Sequence, residues 1–134
     1  MRVTPHVQAV KIPFQVPVAP NVTIDRFVYA FIIYGPNICL IDSGAAGAER
    51  LIFEEIRRAG RSAAEVSLLV LTHAHPDHIG AARAIRQVTG CTVAAPAAEK
   101  AWIEDVDLQC RQRPVPGFHV LVGGSVKVDR ELAD

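Results

Sequence analysis

The stretch from Val66 to Gly80 constrains the fold more than any other part of this 134-residue sequence. It reads V-S-L-L-V-L-T-H-A-H-P-D-H-I-G, so an apolar run ends at Thr72 and is followed by histidines and an aspartate. A short apolar run rich in branched residues predicts a strand covered on both faces, as in parallel or mixed sheets. Pro76 ends the extended stretch, and Ile79 to Val88 has helical spacing. The sequence therefore predicts a strand, a polar loop and a helix in succession.

The loop after this strand has the residue types of a transition-metal site. His73, His75, Asp77 and His78 lie within six positions. Because residues i and i+2 of an extended backbone point to the same side, His73 and His75 can face one point. Imidazoles and a carboxylate suit zinc, and also iron or manganese, and two pairs of such ligands can serve two adjacent metals. Asp77 also occupies the position expected of a helix N-cap.

The sequence Thr72–Gly80, T-H-A-H-P-D-H-I-G, resembles the H-x-H-x-D-H signature of the metallo-β-lactamase-fold hydrolases. The resemblance implies that His73 and His75 bind a first metal, and that Asp77 and His78 bind a second. It implies an αββα sandwich and a binuclear zinc site with a metal-bound hydroxide as the nucleophile. Asp77 would then be the catalytic residue that orients or deprotonates the water, besides binding metal.

The segments around the ligand loop predict an α/β fold. Phe27 to Tyr34 and Ile38 to Ile41 are rich in β-branched and aromatic residues and flank Gly35-Pro36-Asn37, which predicts a hairpin. Glu49 to Ala59 has one apolar and one charged face, as an amphipathic helix does. Cys91 to Ala95 predicts the next short strand. This β-α-β-α order is typical of one sheet layered by helices.

The two ends of the chain carry weaker patterns. Val7 to Val18 mixes apolar residues with prolines, which indicates a short edge strand or an extended arm. Trp102 is expected to anchor an amphipathic helix rather than to line a substrate pocket. The remaining predictions are a helix from Pro96 past Trp102 to Val106, a loop over Gln109 to Gly117, a strand over His119 to Val122, and a polar tail from Val126.

Asp42-Ser43-Gly44 directly follows the predicted strand Ile38 to Ile41. Asp, Ser and Gly are all turn-forming residues, so a plain turn is the simplest interpretation. In the family, the stretch that I-D-S-G resembles carries an aspartate near the metal centre. The resemblance therefore implies that Asp42 supports the ligand loop by orienting a histidine, without binding a metal itself.

Charge and cysteine content restrict the partners. The 14 basic and 14 acidic residues balance, which gives no reason to expect a nucleic-acid surface or a membrane-binding patch. The three cysteines form no C-x-x-C pair, which favours free thiols in a reducing cytoplasm. No apolar core follows Arg2, so no signal peptide is predicted. We therefore expect a cytoplasmic protein that acts on a small-molecule substrate.

The family pattern extends beyond what this sequence carries. The first metal normally takes a third histidine from a T-P-G-H-like loop, yet only His119 follows His78 here. Val115 to His119 has a likeness to that loop, but Phe118 intervenes, so a role for His119 stays open. The sandwich also needs two sheets where residues 1–134 supply one, which would leave an apolar face exposed. We therefore expect the N-terminal half of a larger domain, its open face covered by the missing C-terminal half or by a second copy in a homodimer.

Two functions are compatible with these patterns. The first is a metal-dependent hydrolase that attacks an ester, thioester or lactam-type bond, with a thioesterase or lactonase resembling glyoxalase II favoured over an exported β-lactamase. The second is a catalytically incomplete metal-binding fragment that needs its missing half or a partner chain. A nuclease is disfavoured because no basic surface is evident, whereas a single-iron oxygenase would share this loop.

Overall fold

The computed structural model describes residues 1–133, which form a six-stranded mixed sheet with short helices packed against it. The strands are β1 (Val7–Ala19), β2 (Val22–Tyr34), β3 (Ile38–Ile41), β4 (Val66–Val70), β5 (Thr92–Pro96) and β6 (Arg130–Leu132). The α-helices are α1 (Glu49–Arg58), α2 (Pro76–Ile79), α3 (Ala82–Thr89), α4 (Lys100–Glu104), α5 (Val106–Gln112) and α6 (Phe118–Leu121). Single turns of 3₁₀ helix cover Ala63–Glu65 and Ala97–Glu99.

The strands lie in the sheet in the same order as in the chain. β2 is antiparallel to both of its neighbours, β1 and β3, whereas β3, β4, β5 and β6 run parallel. Parallel neighbours need crossover connections, which the helical segments provide. The carboxyl ends of β3, β4 and β5 consequently meet at one edge, where the Asp42 backbone N–H donates to the Val70 carbonyl at 2.8 Å. Ligand sites of α/β sheets form at such edges.

The predicted core elements are present. β3 has the predicted bounds, β4 lacks only the last predicted residue, and β5 is displaced by one position. Helix α1 ends one residue before its predicted end and buries Ile52 and Ile56 against the sheet. Periodicity identified these elements because each one buries a stripe of side chains in the core.

The β1–β2 hairpin is longer than the sequence indicated. β1 is an edge strand, as one of the two interpretations held, but it has 13 residues and pairs along nearly the whole of β2, from Val7 opposite Ile33 to Ala19 opposite Val22. Pro13 and Pro17 are tolerated because an edge strand can lack a backbone donor on its open side. Asn21 at the turn has a φ of 61°, a conformation in which asparagine is enriched.

Three predictions near the carboxyl end were wrong. Residues from Gln109 to Gln112 belong to α5 and not to a loop, because the Asp105 carboxylate caps that helix by accepting the Leu108 N–H at 3.1 Å. The predicted strand at His119 to Val122 is helix α6, which begins after Gly117 in the left-handed conformation. The polar tail adds β6, which pairs parallel to β5.

The cysteine spacing predicted free thiols. Cys39, Cys91 and Cys110 are all unpaired within residues 1–133. Burial raises the pKa of the Cys39 and Cys91 thiols, which keeps them protonated and poorly reactive. In the described part of the chain, no helix is long and apolar enough to cross a membrane.

Alternate side chains along the strands point to opposite faces of the sheet, and the two faces differ in burial. One set is fully buried in a single core cluster with the helices. The other set is only half-buried and forms two rows in register across β2, β3 and β4, namely Phe31, Ile41 and Val70, and Ile33, Cys39 and Leu68. This apolar surface is hereafter the open face. The expectation that a C-terminal half or a second copy covers such a face stays a prediction.

Asp129 fastens the tail to the rest of the molecule. Its carboxylate accepts the Val93 backbone N–H at 2.9 Å and two hydrogen bonds from the Arg86 guanidinium, at 2.6 and 3.1 Å. The hydrogen bond from Val93 and then those from Arg86 lower the pKa of the Asp129 carboxyl. Residues 130–132 can therefore form β6 although their own sequence does not predict a strand.

We expect Asp129→Asn to reduce the free energy of unfolding by about 1 kcal/mol near neutral pH, since a charge-assisted pair at a partly exposed site is lost. The folded-state pKa lies below that of the unfolded chain, so this stabilisation is complete above about pH 4 and is lost as the pH falls through the folded-state value. Urea unfolding at about pH 7 and pH 3 measures both effects. Glu131→Gln, which removes an exposed pair with Lys100, is the control. An equal dependence on pH in the Asp129→Asn variant and the unchanged chain would contradict the prediction.

Candidate metal centre

The ligand loop lies at the carboxyl edge of the sheet, between β4 and α3. Helix α2 begins at Pro76, and His75 holds the N-cap position with an extended backbone and no side-chain cap bond. The prediction that Asp77 is the N-cap was therefore wrong. Proline is favoured at the first helical position, which starts this turn before Asp77 rather than after it. The Asp77 carboxylate instead faces the loop, with Oδ2 3.9 Å from His78 Nε2.

Three imidazoles of the loop face one another. The ring centres of His73 and His75 are 4.5 Å apart, and those of His73 and His78 are 4.2 Å apart. One ligand atom from each of Asp42, His73 and His78 lies within 4.8 Å of the others, whereas His75 and Asp77 are not part of this close group within residues 1–133. Because the His78 and Asp77 side chains are 20% and 28% exposed, the cluster is accessible from solvent. A small cation could therefore contact several of these groups at once.

The Asp42 carboxylate organises the loop from the neighbouring strand end. Its Oδ1 accepts the Thr72 backbone N–H at 2.8 Å, and its Oδ2 accepts the Thr72 hydroxyl at 2.8 Å. The same Oδ2 lies 3.0 Å from His78 Nδ1. An ionised carboxylate is only an acceptor, so the His78 proton is on Nδ1. His78 Nε2 is therefore left with its lone pair free for a metal.

Thr72 fixes the tautomer of His73 in a similar way. The Thr72 hydroxyl has one proton, which it donates to Asp42, and its oxygen lies 2.7 Å from His73 Nδ1. That oxygen can only accept from His73, which places the proton on Nδ1 and leaves Nε2 free. The sequence pattern indicated only that Thr72 ends an apolar run. The available signal was a hydroxyl residue directly between a buried strand and the first histidine.

The pKa directions follow from these contacts. Burial alone would raise the pKa of Asp42, but the hydrogen bonds from His78 and Thr72 outweigh it and hold that pKa below its ordinary value. The hydrogen bond to Asp42 raises the pKa of His78. Burial, and then the nearby His78 and His75, lower the pKa of His73. The lowered pKa of His73 favours its neutral form, which is the protonation state that a metal ligand requires, whereas the raised pKa of His78 favours its protonated form.

The Asp42-Ser43-Gly44 stretch does more than form a turn. The Ser43 N–H donates to the His78 carbonyl at 2.9 Å, and the Ser43 hydroxyl lies 2.8 Å from the same oxygen. The Ser43 oxygen also accepts the Ala81 N–H at 3.1 Å. The turn after β3 therefore holds α2 in place through its backbone. Helix α2 is one turn long and depends on such contacts.

His119 lies apart from this group. It is exposed on α6 and is not among the residues whose ligand atoms cluster within residues 1–133. Its ring packs edge-on against Phe118, with ring centres 5.3 Å apart. The structure thus gives no support to a role for His119 in the site.

Two cavities adjoin the ligand loop. The larger, about 400 Å³, lies between the loop and helices α4 and α5, with His75, Trp102 and Arg113 in its walls. The other, about 320 Å³, is lined by Phe14 and Phe27 of the hairpin together with Asp77. Trp102 also packs against the core, as expected of a helix anchor, and whether the cavity that it lines accepts substrate stays a prediction. Both cavities could admit a small molecule to the loop.

The donor set fits a divalent transition metal. Two imidazoles present free Nε2 atoms on adjacent rings, and each is oriented by a hydrogen bond at its other nitrogen. Histidines that ligate metals usually have such a partner, which fixes the tautomer and the ring direction. Imidazole and carboxylate donors together are suited to zinc, iron or manganese.

The sequence of the chain matches a family model and several curated proteins. A family model described as the metallo-beta-lactamase superfamily matches residues 24–133. Hydroxyacylglutathione hydrolases from Chelativorans sp. and Nitrobacter hamburgensis are 37% identical over 70 residues and 35% identical over 83 residues. These alignments cover 52% and 62% of this chain, but only 26% and 30% of the relatives.

Solved structures show the same fold. A beta-lactamase from Chitinophaga pinensis aligns with a TM-score of 0.68 and 30% identity over 80% of this chain and 40% of its own. A motif mutant of a metallo-beta-lactamase from Cronobacter sakazakii aligns with a TM-score of 0.72 over the whole chain and 47% of its own, at 20% identity. The chain thus spans less than half of these structures and less than a third of the curated relatives above.

Proposed function

Because the chain belongs to the metallo-β-lactamase superfamily, we propose that it carries the ligand loop of a metal-dependent hydrolase acting on an ester, thioester or lactam-type bond. The observation that carries this proposal is the Asp42 network. One buried carboxylate sets the tautomers of His73 and His78, so that both Nε2 atoms are free on adjacent rings. A loop whose histidines served only as surface residues would not need such an arrangement.

The proposed ligands are those expected from the signature. His73 and His75 would hold a first metal, and Asp77 and His78 a second, with zinc favoured over iron or manganese. When bound, the metals would act as Lewis acids and bring the pKa of water in the site towards neutrality. Asp77 Oδ2, beside His78, would accept a proton from the attacking water. Asp42 would keep the His78 ring in place throughout.

A thioesterase or lactonase resembling glyoxalase II is the favoured activity. The curated relatives are named for hydrolysis of hydroxyacylglutathione, an acylated thiol, and are 31–46% identical to this chain over the aligned segments. The solved neighbours are titled beta-lactamases, and the one from Chitinophaga pinensis is 30% identical. We therefore place the thioester ahead of the lactam. The apolar cavity beside Phe14 and Phe27 would accept an acyl group.

Metal content and turnover together test the proposal. Elemental analysis of the purified, dialysed chain is expected to find about one or two zinc ions per chain. Hydrolysis of an acyl-glutathione thioester and of a chromogenic cephalosporin is then measured at stoichiometric zinc. Turnover of the thioester alone would support the favoured activity. Bound metal without turnover would favour a catalytically incomplete fragment, and no bound metal would contradict the proposal.

The open face is proposed as the surface covered by the rest of the domain or by a second copy of the chain. Six partly exposed apolar side chains lie in two registered rows on this face, and an apolar sheet face is normally packed against a second layer. We expect the purified chain to self-associate, as measured by light scattering. Ile41→Lys, in the middle of this face, should reduce the association. A monomer in the unchanged chain would contradict the expectation.

A further inference from the structure

Gln109 is a buried polar residue that joins α5 to the ligand loop. The residue is 3% exposed, and its Nε2 donates a hydrogen bond to the carbonyl of Ala74. Ala74, which is itself buried, is the single residue between His73 and His75. The hydrogen bond therefore reaches the backbone that separates two proposed ligands.

Packing alone does not explain why an amide side chain occupies the position of Gln109. Gln109 Oε1 is buried and has no hydrogen-bond partner within residues 1–133. A buried polar atom without a partner is unfavourable, and an apolar side chain of similar length would avoid that cost. The amide group is instead used through its donor, and within the described residues that donor goes to Ala74.

The two peptide groups that flank His75 are both held. The His75 carbonyl accepts the N–H groups of His78 at 2.9 Å and Ile79 at 3.1 Å, in the first turn of α2. The preceding peptide group, at Ala74, is held by Gln109 from the opposite element. Rotation of that peptide would swing the His75 ring relative to His73, since the backbone dihedrals beside it set the direction of the side chain.

We propose that Gln109 is a positioning residue of the ligand loop, which holds the His75 ring towards His73 by fixing the Ala74 peptide group. This inference rests on the proposed metal-binding function. Gln109 touches neither a metal nor a substrate in this role. Its contribution would be to preorganise the loop, so that metal binding does not have to order the backbone.

Cobalt(II) binding to the full chain tests the inference. Gln109→Met keeps the length of the side chain and removes the donor, and Gln109→Leu removes the whole amide group with a shorter apolar side chain. Both are expected to weaken cobalt affinity about tenfold or more, and to change the visible absorption bands that report ligand geometry. Competition with a chelator gives the affinity, and thermal unfolding of the metal-free chain reports the fold.

Gln112→Met is the matched control. Gln112 lies on the same helix and accepts a hydrogen bond from Trp102 Nε1 at 2.8 Å, but it is exposed and does not touch the loop. The control should bind cobalt like the unchanged chain.

The outcomes distinguish failure of the proposed metal-binding function from failure of the positioning role of Gln109. If the unchanged chain binds no cobalt, the proposed function fails. If it binds, but either Gln109 variant folds and retains the same affinity and spectrum, the positioning role fails. An equal loss in Gln112→Met, or unfolding of both Gln109 variants, would make Gln109 a packing residue and would likewise overturn the inference.

Discussion

Replacement of Asp42 by asparagine is expected to weaken zinc binding about 10–100-fold while the chain stays folded. In the unchanged chain, Asp42 Oδ2 accepts from His78 Nδ1 and from the Thr72 hydroxyl. With the amide oxygen facing the Thr72 N–H, the asparagine NH₂ group would face His78 and could only donate. His78 would then carry its proton on Nε2, where the proposed metal contact is made. The variant therefore changes the tautomer rather than the shape of the site.

Asparagine is the informative substitution because the backbone can accept it. Asp42 has a φ of 63°, and asparagine, unlike alanine, is enriched in this left-handed region. We expect a loss of about 1–3 kcal/mol in the free energy of unfolding, since charged hydrogen bonds are weakened. Alanine would add backbone strain and leave several buried donors unpaired.

Zinc affinity by chelator competition, together with urea unfolding, measures the Asp42 effect. Nitrogen chemical shifts of the histidine rings would report the change of tautomer directly. Asp25→Asn is the control, because Asp25 accepts a side-chain hydrogen bond from Gln15 in the exposed part of the hairpin. Unchanged zinc affinity in the Asp42→Asn variant would show that the carboxylate does not orient the ligands.

Replacement of Gly80 by alanine is expected to destabilise the fold by about 3–5 kcal/mol. Gly80 follows α2 with an ordinary helical φ of −58°, so backbone strain is not the cause. A Cβ at this position would overlap the Leu121 carbonyl oxygen and would lie 2.5 Å from the Ala46 nitrogen and 2.6 Å from the Ala45 Cα. All three are backbone atoms, so no side chain can move aside.

The close approach at Gly80 joins three segments. The Gly123 N–H donates to the Gly80 carbonyl at 2.9 Å, and the Ala46 N–H donates to the Leu121 carbonyl at 2.7 Å. An added methyl group would force these backbone segments apart beside His78. We therefore expect metal affinity to fall together with stability.

Thermal and urea unfolding of the Gly80→Ala variant test this expectation. Gly35→Ala is the control, since a Cβ there would meet only the Asn37 carbonyl oxygen at an ordinary 3.4 Å. A Gly80→Ala variant as stable as Gly35→Ala would mean that the three segments can separate without cost.

The local pattern of the sequence was sufficient for the centre of the fold. The apolar run of β4 and the amphipathic stripe of α1 bury their side chains in the core, so the periodicity is a direct record of burial. The H-x-H-x-D-H spacing likewise indicated the family, which the match over residues 24–133 shows. Turn-forming residues after β3 marked the edge at which the loop lies.

Contacts between distant residues decided the rest. The tail from Val126 has no strand pattern, yet Asp129 joins it to Val93 and Arg86 and so allows β6 to form. Helix α5 was not predicted because the residue that caps it, Asp105, and the residue that joins it to the loop, Gln109, are polar and add nothing to an apolar pattern. The bond from Gln109 to Ala74 spans 35 positions, and no local pattern records it.

The site divides in the same way. The sequence by itself determined which loop would carry the histidines, because ligand type and spacing are local properties. Only the tertiary structure decided which nitrogen of each ring is free, because that depends on Asp42, which lies 36 positions from His78. Parallel pairing of β3 with β4 brings the two strand ends together, and a single carboxylate can then orient both His73 and His78.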